Sequence, residues 1–217
     1  MSARPSLRLT ALHNVLLFCA VLGALATSPL CAASGSDDWR YSETRNETRE
    51  FAAGGFIHVR MSVGDMHIKR GDSNKIRLEY TVKSRRERNV KEATVDFDVH
   101  GNDATIEFHA PYNSNTEFDV ELEVPENTNL DVHNKVGDMS VENVEGDKDL
   151  NLGVGDINVT ASQAGYRMVR ASAGIGDVNS DYGETSGWLG KTLHYRGEGK
   201  YELRAHVGVG DVNLEGK

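Results

Sequence analysis

The sequence predicts an all-β chain: a β-solenoid of stacked Gly-Asp rungs, with an antiparallel, hairpin-containing section on its N-terminal side. Three observations carry that prediction. A phrase of aliphatic residue, Gly, Asp, aliphatic residue occurs five times, at Gly64-Asp65, Gly137-Asp138, Gly155-Asp156, Gly176-Asp177 and Gly210-Asp211, and internal repetition of this kind dictates architecture. Around each copy, apolar and polar residues alternate with period two, the mark of a strand with one buried face. In the second half the motif glycines are separated by 18, 21 and 34 residues; the first two steps suit one turn of a solenoid.

Aligned on the Gly, the inward columns are almost all apolar. Seven positions before it stand Ile57, Leu130, Val169 and Leu203, and two after it Met66, Met139, Ile157, Val178 and Val212. Lys148, Asn134 and Ser180 are the polar exceptions. The residues directly before the Gly (Val63, Val136, Val154, Ile175 and Val209) are read as inward with the rest. The alternation slips at Gly-Asp, where two residues rather than one separate the flanking inward positions. A strand keeps one face buried through that slip only with a bulge or a corner. Gly tolerates the positive φ of a corner, and an Asp carboxylate accepts a nearby backbone N–H in an Asx-type turn. Each copy therefore reads as strand, corner, strand, with Asp138, Asp156 and Asp177 expected on consecutive rungs.

Taken in order, residues 1–33 read as a signal peptide. Arg4 and Arg8 precede an apolar run from Val15 to Ala26, and Cys31-Ala32-Ala33 supplies small residues for cleavage. That run is too short for an ordinary transmembrane helix. Residues 34–50 are a polar lead-in or a first edge strand, and 51–217 form a single β-strand-repeat domain. Lys75 to Lys83 alternates, and the charged stretch 83–88 reads as a solvated loop. Thr94–Val99 and Ala104–Phe108 flank Gly101-Asn102-Asp103, a hairpin signal. Glu117–Val124 alternates and stops at Pro125; the regular rungs run from about residue 125. The long step contains an insertion, 183–199, with Trp188, His194 and Tyr195, read as a loop or cap and as a possible ligand contact.

Composition narrows the function. Both cysteines, Cys19 and Cys31, lie in the leader, so the mature chain offers no thiol for disulfides, redox catalysis or Cys-zinc sites. Loss of the leader removes Arg4 and Arg8 and no acid, leaving 22 basic against 33 acidic residues, a net charge of −11. Such a balance argues against nucleic-acid binding, which relies on phosphate neutralisation.

Chemical motifs are scarce. The pairs Gly153/Gly155, Gly174/Gly176 and Gly208/Gly210 lack the third Gly and following helix of a dinucleotide fingerprint. They resemble the calcium rungs of RTX β-rolls superficially, but those repeat every nine residues with a fuller signature; calcium is the alternative to a local turn hydrogen bond, and no cofactor is expected. The histidines alternate with apolar residues and read as outward-facing, so no metal ligands are assigned. An acid that recurs at the same place in every repeat points to a structural role, and no catalytic residues are assigned.

The serial Gly-Asp-aliphatic copies behind a leader, entered through Val124-Pro125-Glu126-Asn127-Thr128-Asn129-Leu130-Asp131-Val132 and closed by Gly197-Glu198-Gly199-Lys200-Tyr201-Glu202-Leu203, resemble the bacterial putative-adhesin, β-strand-repeat family. The likeness covers roughly residues 50–217. It implies an exported, non-catalytic protein and brings no catalytic residues. The expectation is an adhesin-like protein of the periplasm, cell surface or exterior, whose repetitive β faces contact an envelope or surface polymer or protein. The alternative is a glycan- or calcium-dependent ligand module built on Trp188, His194 and Tyr195.

Overall fold

The structure, a computed structural model, describes residues 39–71, 74–188 and 190–217. The leader assigned to residues 1–33, with both cysteines, lies outside them. The strands, in chain order, are β1 (Tyr41–Glu50), β2 (Phe56–Arg70), β3 (Lys75–Ser84), β4 (Thr94–His100), β5 (Asp103–His109), β6 (Thr116–Val124), β7 (Asn129–Val136) and β8 (Met139–Glu142). They continue with β9 (Lys148–Val154), β10 (Ile157–Ala161), β11 (Tyr166–Ile175), β12 (Val178–Ser180), β13 (Thr185–Ser186), β14 (Lys191–Arg196), β15 (Tyr201–Val209) and β16 (Val212–Gly216). One short helix, α1 (Glu87–Glu92), begins at the end of the charged stretch 83–88 that reads from sequence as a loop. Its pairs Lys91–Glu87 and Arg88–Glu92 are i,i+4 contacts, and Arg45 donates to the carbonyls of Val90 and Ala93 at its C-terminal end. That cap comes from β1, far away in sequence, which is why local pattern misses the helix.

The strands join in one large, nearly closed, barrel-like sheet. Two stretches of it are parallel. The strands before each Gly-Asp pair in the order β2, β7, β9, β15, β11. The strands after it pair in the order β2, β8, β10, β16, β12. β2 belongs to both because it runs unbroken through its own Gly64-Asp65, so the first copy joins the later ones rather than lying apart from them. The N-terminal section is antiparallel: β1 on β3, β3 on β6, and the β4–β5 hairpin turning at Gly101-Asn102. β5 and β6 then join β2.

One expectation is corrected. The fifth copy lies between the third and the fourth, because β15 and β16 insert beside β9 and β10. Asp156 therefore neighbours Asp138 and Asp211, not Asp177. The 34-residue step explains this: after β12 the chain returns as β14, antiparallel on the outer side of β11, before entering β15 on the other side of β11. The insertion thus supplies the strand that covers that edge, with β13 paired outside it.

The core fills with the alternating apolar columns. Ile57, Val59, Leu130, Val132, Leu150, Leu203 and Val169 on one side, and Met66, Ile68, Met139, Val141, Ile157 and Val212 on the other, are all buried. A second correction concerns the column directly before each Gly. Val63, Val136, Val154, Val209 and Ile175 are 41, 43, 47, 44 and 66% exposed. The buried alternation ends two residues earlier, at Met61, Asn134, Leu152, Val207 and Ala173, and resumes after Asp. The corner has already carried the next side chain off the end of the core.

The corner glycines cannot be replaced freely. Gly155 has φ +129, and a Cβ there would lie 2.0 Å from the Gly137 carbonyl oxygen; Gly137, Gly210 and Gly176 meet their neighbours in the same way. Gly155→Ala is accordingly expected to cost about 2–4 kcal/mol, combining left-handed strain with a backbone clash. Urea unfolding measures it, and an unchanged midpoint would show that neighbouring copies do not approach this closely in solution.

Candidate functional site

The five Asp residues of the motif form a ladder. Asp138 N–H donates to Asp65 Oδ1 (2.8 Å), Asp156 N–H to Asp138 (2.9 Å), Asp211 N–H to Asp156 (2.8 Å), and Asp177 N–H to Asp211 (2.7 Å). Four of the five carboxylates, those of Asp65, Asp138, Asp156 and Asp211, thus accept the amide of the next copy rather than one in their own turn, and Asp177 ends the ladder as a donor. Backbone bonds continue on both sides of it, such as Gly155 N–H to Val209 O (3.0 Å) and Ile157 N–H to Asp211 O (2.9 Å). Stacked about 4.8 Å apart, such carboxylates repel, by roughly 1 kcal/mol per neighbouring pair if fully hydrated and several times that in a lower dielectric. The donated amides offset this. At the β2 end the ladder meets Asp119 and Glu117, whose carboxylates lie within 4.8 Å of each other and of Asp65. Lys83 supplies the balancing charge, paired with Asp119 and 4.0 Å from Glu117. Burial works against that ammonium, but the surrounding carboxylates outweigh it and raise its pKa.

Beyond the corner, an amide ladder continues the pattern. Asn179 donates to Asn213, and Asn213 to Asn158, at 2.9 and 2.8 Å. Before it, the exposed aliphatic column follows the strand register: Val63 opposite Val136, Val136 opposite Val154, Val154 opposite Val209, Val209 opposite Ile175. Four strand spacings make a continuous apolar ridge about 19 Å long.

The structure does not bring Trp188, His194 and Tyr195 together. Trp188 is 92% exposed. His194 and Tyr195 are consecutive on β14 and point to opposite faces; His194 is exposed, whereas Tyr195 packs edge-on against Tyr182 at 5.6 Å. Tyr182, Tyr166 and Tyr201 extend that aromatic cluster inward.

One buried polar group has a clear signature in the sequence, as the basic residue in an apolar column. Lys148 is 3% exposed and donates to Tyr166 Oη (2.6 Å) and the Gly146 carbonyl (3.0 Å). Burial drives its pKa from 10.5 down to about 7, against weaker opposing pulls from Asp147 and Glu145, and burial likewise pushes the Tyr166 phenol upward. Asn134, another polar residue at a core position, donates to the Gly64 and Val136 carbonyls (2.8 and 3.2 Å) and ties two copies together.

No family model matches the chain, and no curated protein matches it. Among solved structures, it is similar to a putative cell adhesion protein from Clostridium sporogenes at 17% identity, over 81% of this chain and 100% of that one, with a TM-score of 0.48. A putative adhesin from Bacteroides fragilis aligns at 10% identity over 79% of this chain and 97% of its own, TM-score 0.25. One from Parabacteroides merdae aligns at 13% over 79% and 96%, TM-score 0.26. At these identities and TM-scores the neighbours say nothing about what this chain binds.

Two expected outcomes follow from the buried and stacked groups. Asp156→Asn should be mild, because an amide oxygen still accepts the Asp211 N–H, whereas Asp156→Ala should cost about 1–2 kcal/mol. Calcium should leave the melting temperature of the wild type almost unchanged; a large rise abolished by Asp156→Asn would make the ladder a metal site.

Lys148 has a folded pKa below its unfolded value, so between about 7 and 10.5 the unfolded chain binds more protons. Its contribution to stability therefore rises with pH through that window and is least favourable below it. Lys148→Met is expected to flatten the rise and to raise stability at pH 6 by about 1–3 kcal/mol, read from chemical denaturation at several pH values.

Proposed function

We propose that this is an exported, non-catalytic, adhesin-like protein whose parallel Gly-Asp section is a short β-solenoid. Its contact surface is the aliphatic ridge Val63–Val136–Val154–Val209–Ile175. The observation that carries this reading is the exposure of that ridge. Aliphatic residues at the same place in all five copies leave the core and stand in one line on the surface. Single exposed apolar residues are ordinary, but a contiguous apolar line between polar columns marks a contact surface. Periodic placement suits a partner that is itself extended or repetitive, an envelope or surface polymer or a protein assembled along it. The motif resemblance to the putative-adhesin family supports the same reading, as does the structural part the recurrent Asp plays in the ladder. Nothing among the described residues is long and apolar enough to cross a membrane as a helix. On this reading the protein acts outside the cytoplasm, needs no cofactor and does not bind nucleic acid.

The ligand-module alternative has one observation in its favour, the near-complete exposure of Trp188. It lacks a shared pocket, since Tyr195 belongs to the interior cluster and His194 to the opposite face of β14.

The triple substitution Val136→Thr, Val154→Thr, Val209→Thr keeps β-branched side chains and removes the apolar surface. It is expected to leave the melting transition within a few degrees of wild type and to abolish co-sedimentation of the protein with isolated cell envelopes. Binding that survives the substitution would rule out the ridge as the contact surface.

A further inference from the structure

The outer face of the ladder formed by β9, β15, β11 and β14 carries a charge arrangement that stability alone does not favour. Arg204 and Arg170 lie directly opposite each other on adjacent parallel strands, and His194 lies opposite Arg170 on its other side. Like charges facing across strands destabilise a sheet. Arg204 finds a partner in Glu202 at 3.0 Å, which Arg167 also holds at 2.7 Å. Arg170 makes no hydrogen bond or ion pair among the described residues and exerts only a longer-range pull on Glu202.

The next outward row places His206 in a 2.9 Å hydrogen bond with Ser172, beside Thr192 and Asn151. The one acid in this depression, Asp149, lies opposite Arg204 and accepts from Asn151 at 2.7 Å. These groups line a depression of about 370 Å³. At His206 and Asn151 it meets a second trough of about 520 Å³ that continues past His133 and Lys135 to Arg60. The second trough also holds Glu107, and Arg60 pairs with Asp131 at 2.8 Å. The Arg and Lys lining the two troughs, Arg60, Lys135, Arg170 and Arg204, still outnumber the lining acids Asp149 and Glu107, a local reversal of sign in a chain with net charge −9. From β14 to β2 this concave band crosses five strand spacings, about 24 Å.

We propose that this band binds a linear acidic glycan. Arg170 and Arg204 hold one carboxylate or sulfate, Ser172, Thr192 and His194 bond to the neighbouring hydroxyls, and the trough toward Lys135 and Arg60 takes the following units. The chemistry is that of guanidinium pairing with planar or tetrahedral oxyanions. The length and continuity of the band favour a chain of repeated charges over a single small anion, and the polar, hydroxyl-bearing walls suit sugars better than bases, since the one Phe, Tyr or Trp lining the two troughs, Phe108, is buried. The assignment does not depend on the apolar ridge and stands or falls separately from it.

The test is calorimetric titration of the protein with polygalacturonate and dextran sulfate oligomers, with neutral dextran, inorganic sulfate and a single-stranded oligonucleotide as comparisons. Binding of at least one acidic glycan is expected, weakened by added salt, with neutral dextran silent and inorganic sulfate much weaker. The double substitution Arg170→Gln, Arg204→Gln should lower that affinity about tenfold or more and, by relieving the like-charge pair, should not lower the melting temperature. Arg85→Gln, Arg88→Gln, which removes as many charges from the helix region, should leave binding unchanged. The proposal is overturned if neither acidic glycan binds, if dextran or sulfate binds as well, if the oligonucleotide binds more tightly, or if the two double variants behave alike. An unchanged acidic-glycan affinity in the Val136, Val154, Val209 variant would confirm that band and ridge are separate surfaces.

Discussion

The closeness with which each motif glycine meets the carbonyl of the next copy governs this structure. At four successive contacts a Cβ would lie 2.0 Å from a backbone oxygen, so the copies stack only if every corner is a glycine with positive φ. That approach lets the parallel ladders continue through the corner on both sides. It also brings four of the five Asp carboxylates to the amide of the neighbouring copy. Gly and Asp thus do separate jobs: the first permits the approach, and the second satisfies an N–H that the turn would leave without a strand partner.

The stack has consequences for its surface. When identical positions repeat in register, whatever leaves the core leaves it in every copy at once. The aliphatic ridge before the corner and the asparagine ladder after it are two products of this rule. Each is a line rather than a patch. The polar exceptions in the core follow the same logic. Asn134 bonds across two copies at the corner, and Lys148 is tolerated because a phenol and a carbonyl receive its protons, at the cost of a strongly lowered basicity.

The ends are treated differently. On the β2 side the parallel ladders hand over to antiparallel strands, with β1 (charged along one face, mostly Ser, Thr and Asn along the other) outermost on one branch. On the far side β14 returns antiparallel along β11. That return strand is the content of the long 34-residue step, and it also places His194 beside Arg170.

The sequence by itself determined the β class, the five corners, the hairpin at Gly101-Asn102, the termination at Pro125 and most of the buried columns, because alternation and turn chemistry are local properties. It also marked Lys148 and Asn134 as anomalies. Tertiary structure alone decided the order of the copies, since whether β15 lies beside β9 or beyond β11 depends on pairing between strands far apart in sequence. It decided that Val63, Val136, Val154, Ile175 and Val209 point outward, because period two specifies a face only until the chain turns. It decided as well that Arg170 and Arg204, distant in sequence and unremarkable singly, share one surface, whereas the contiguous basic run at residues 83–88 leads into a helix. Local pattern fixes which side of a strand faces in; only pairing across the sheet decides what stands beside it.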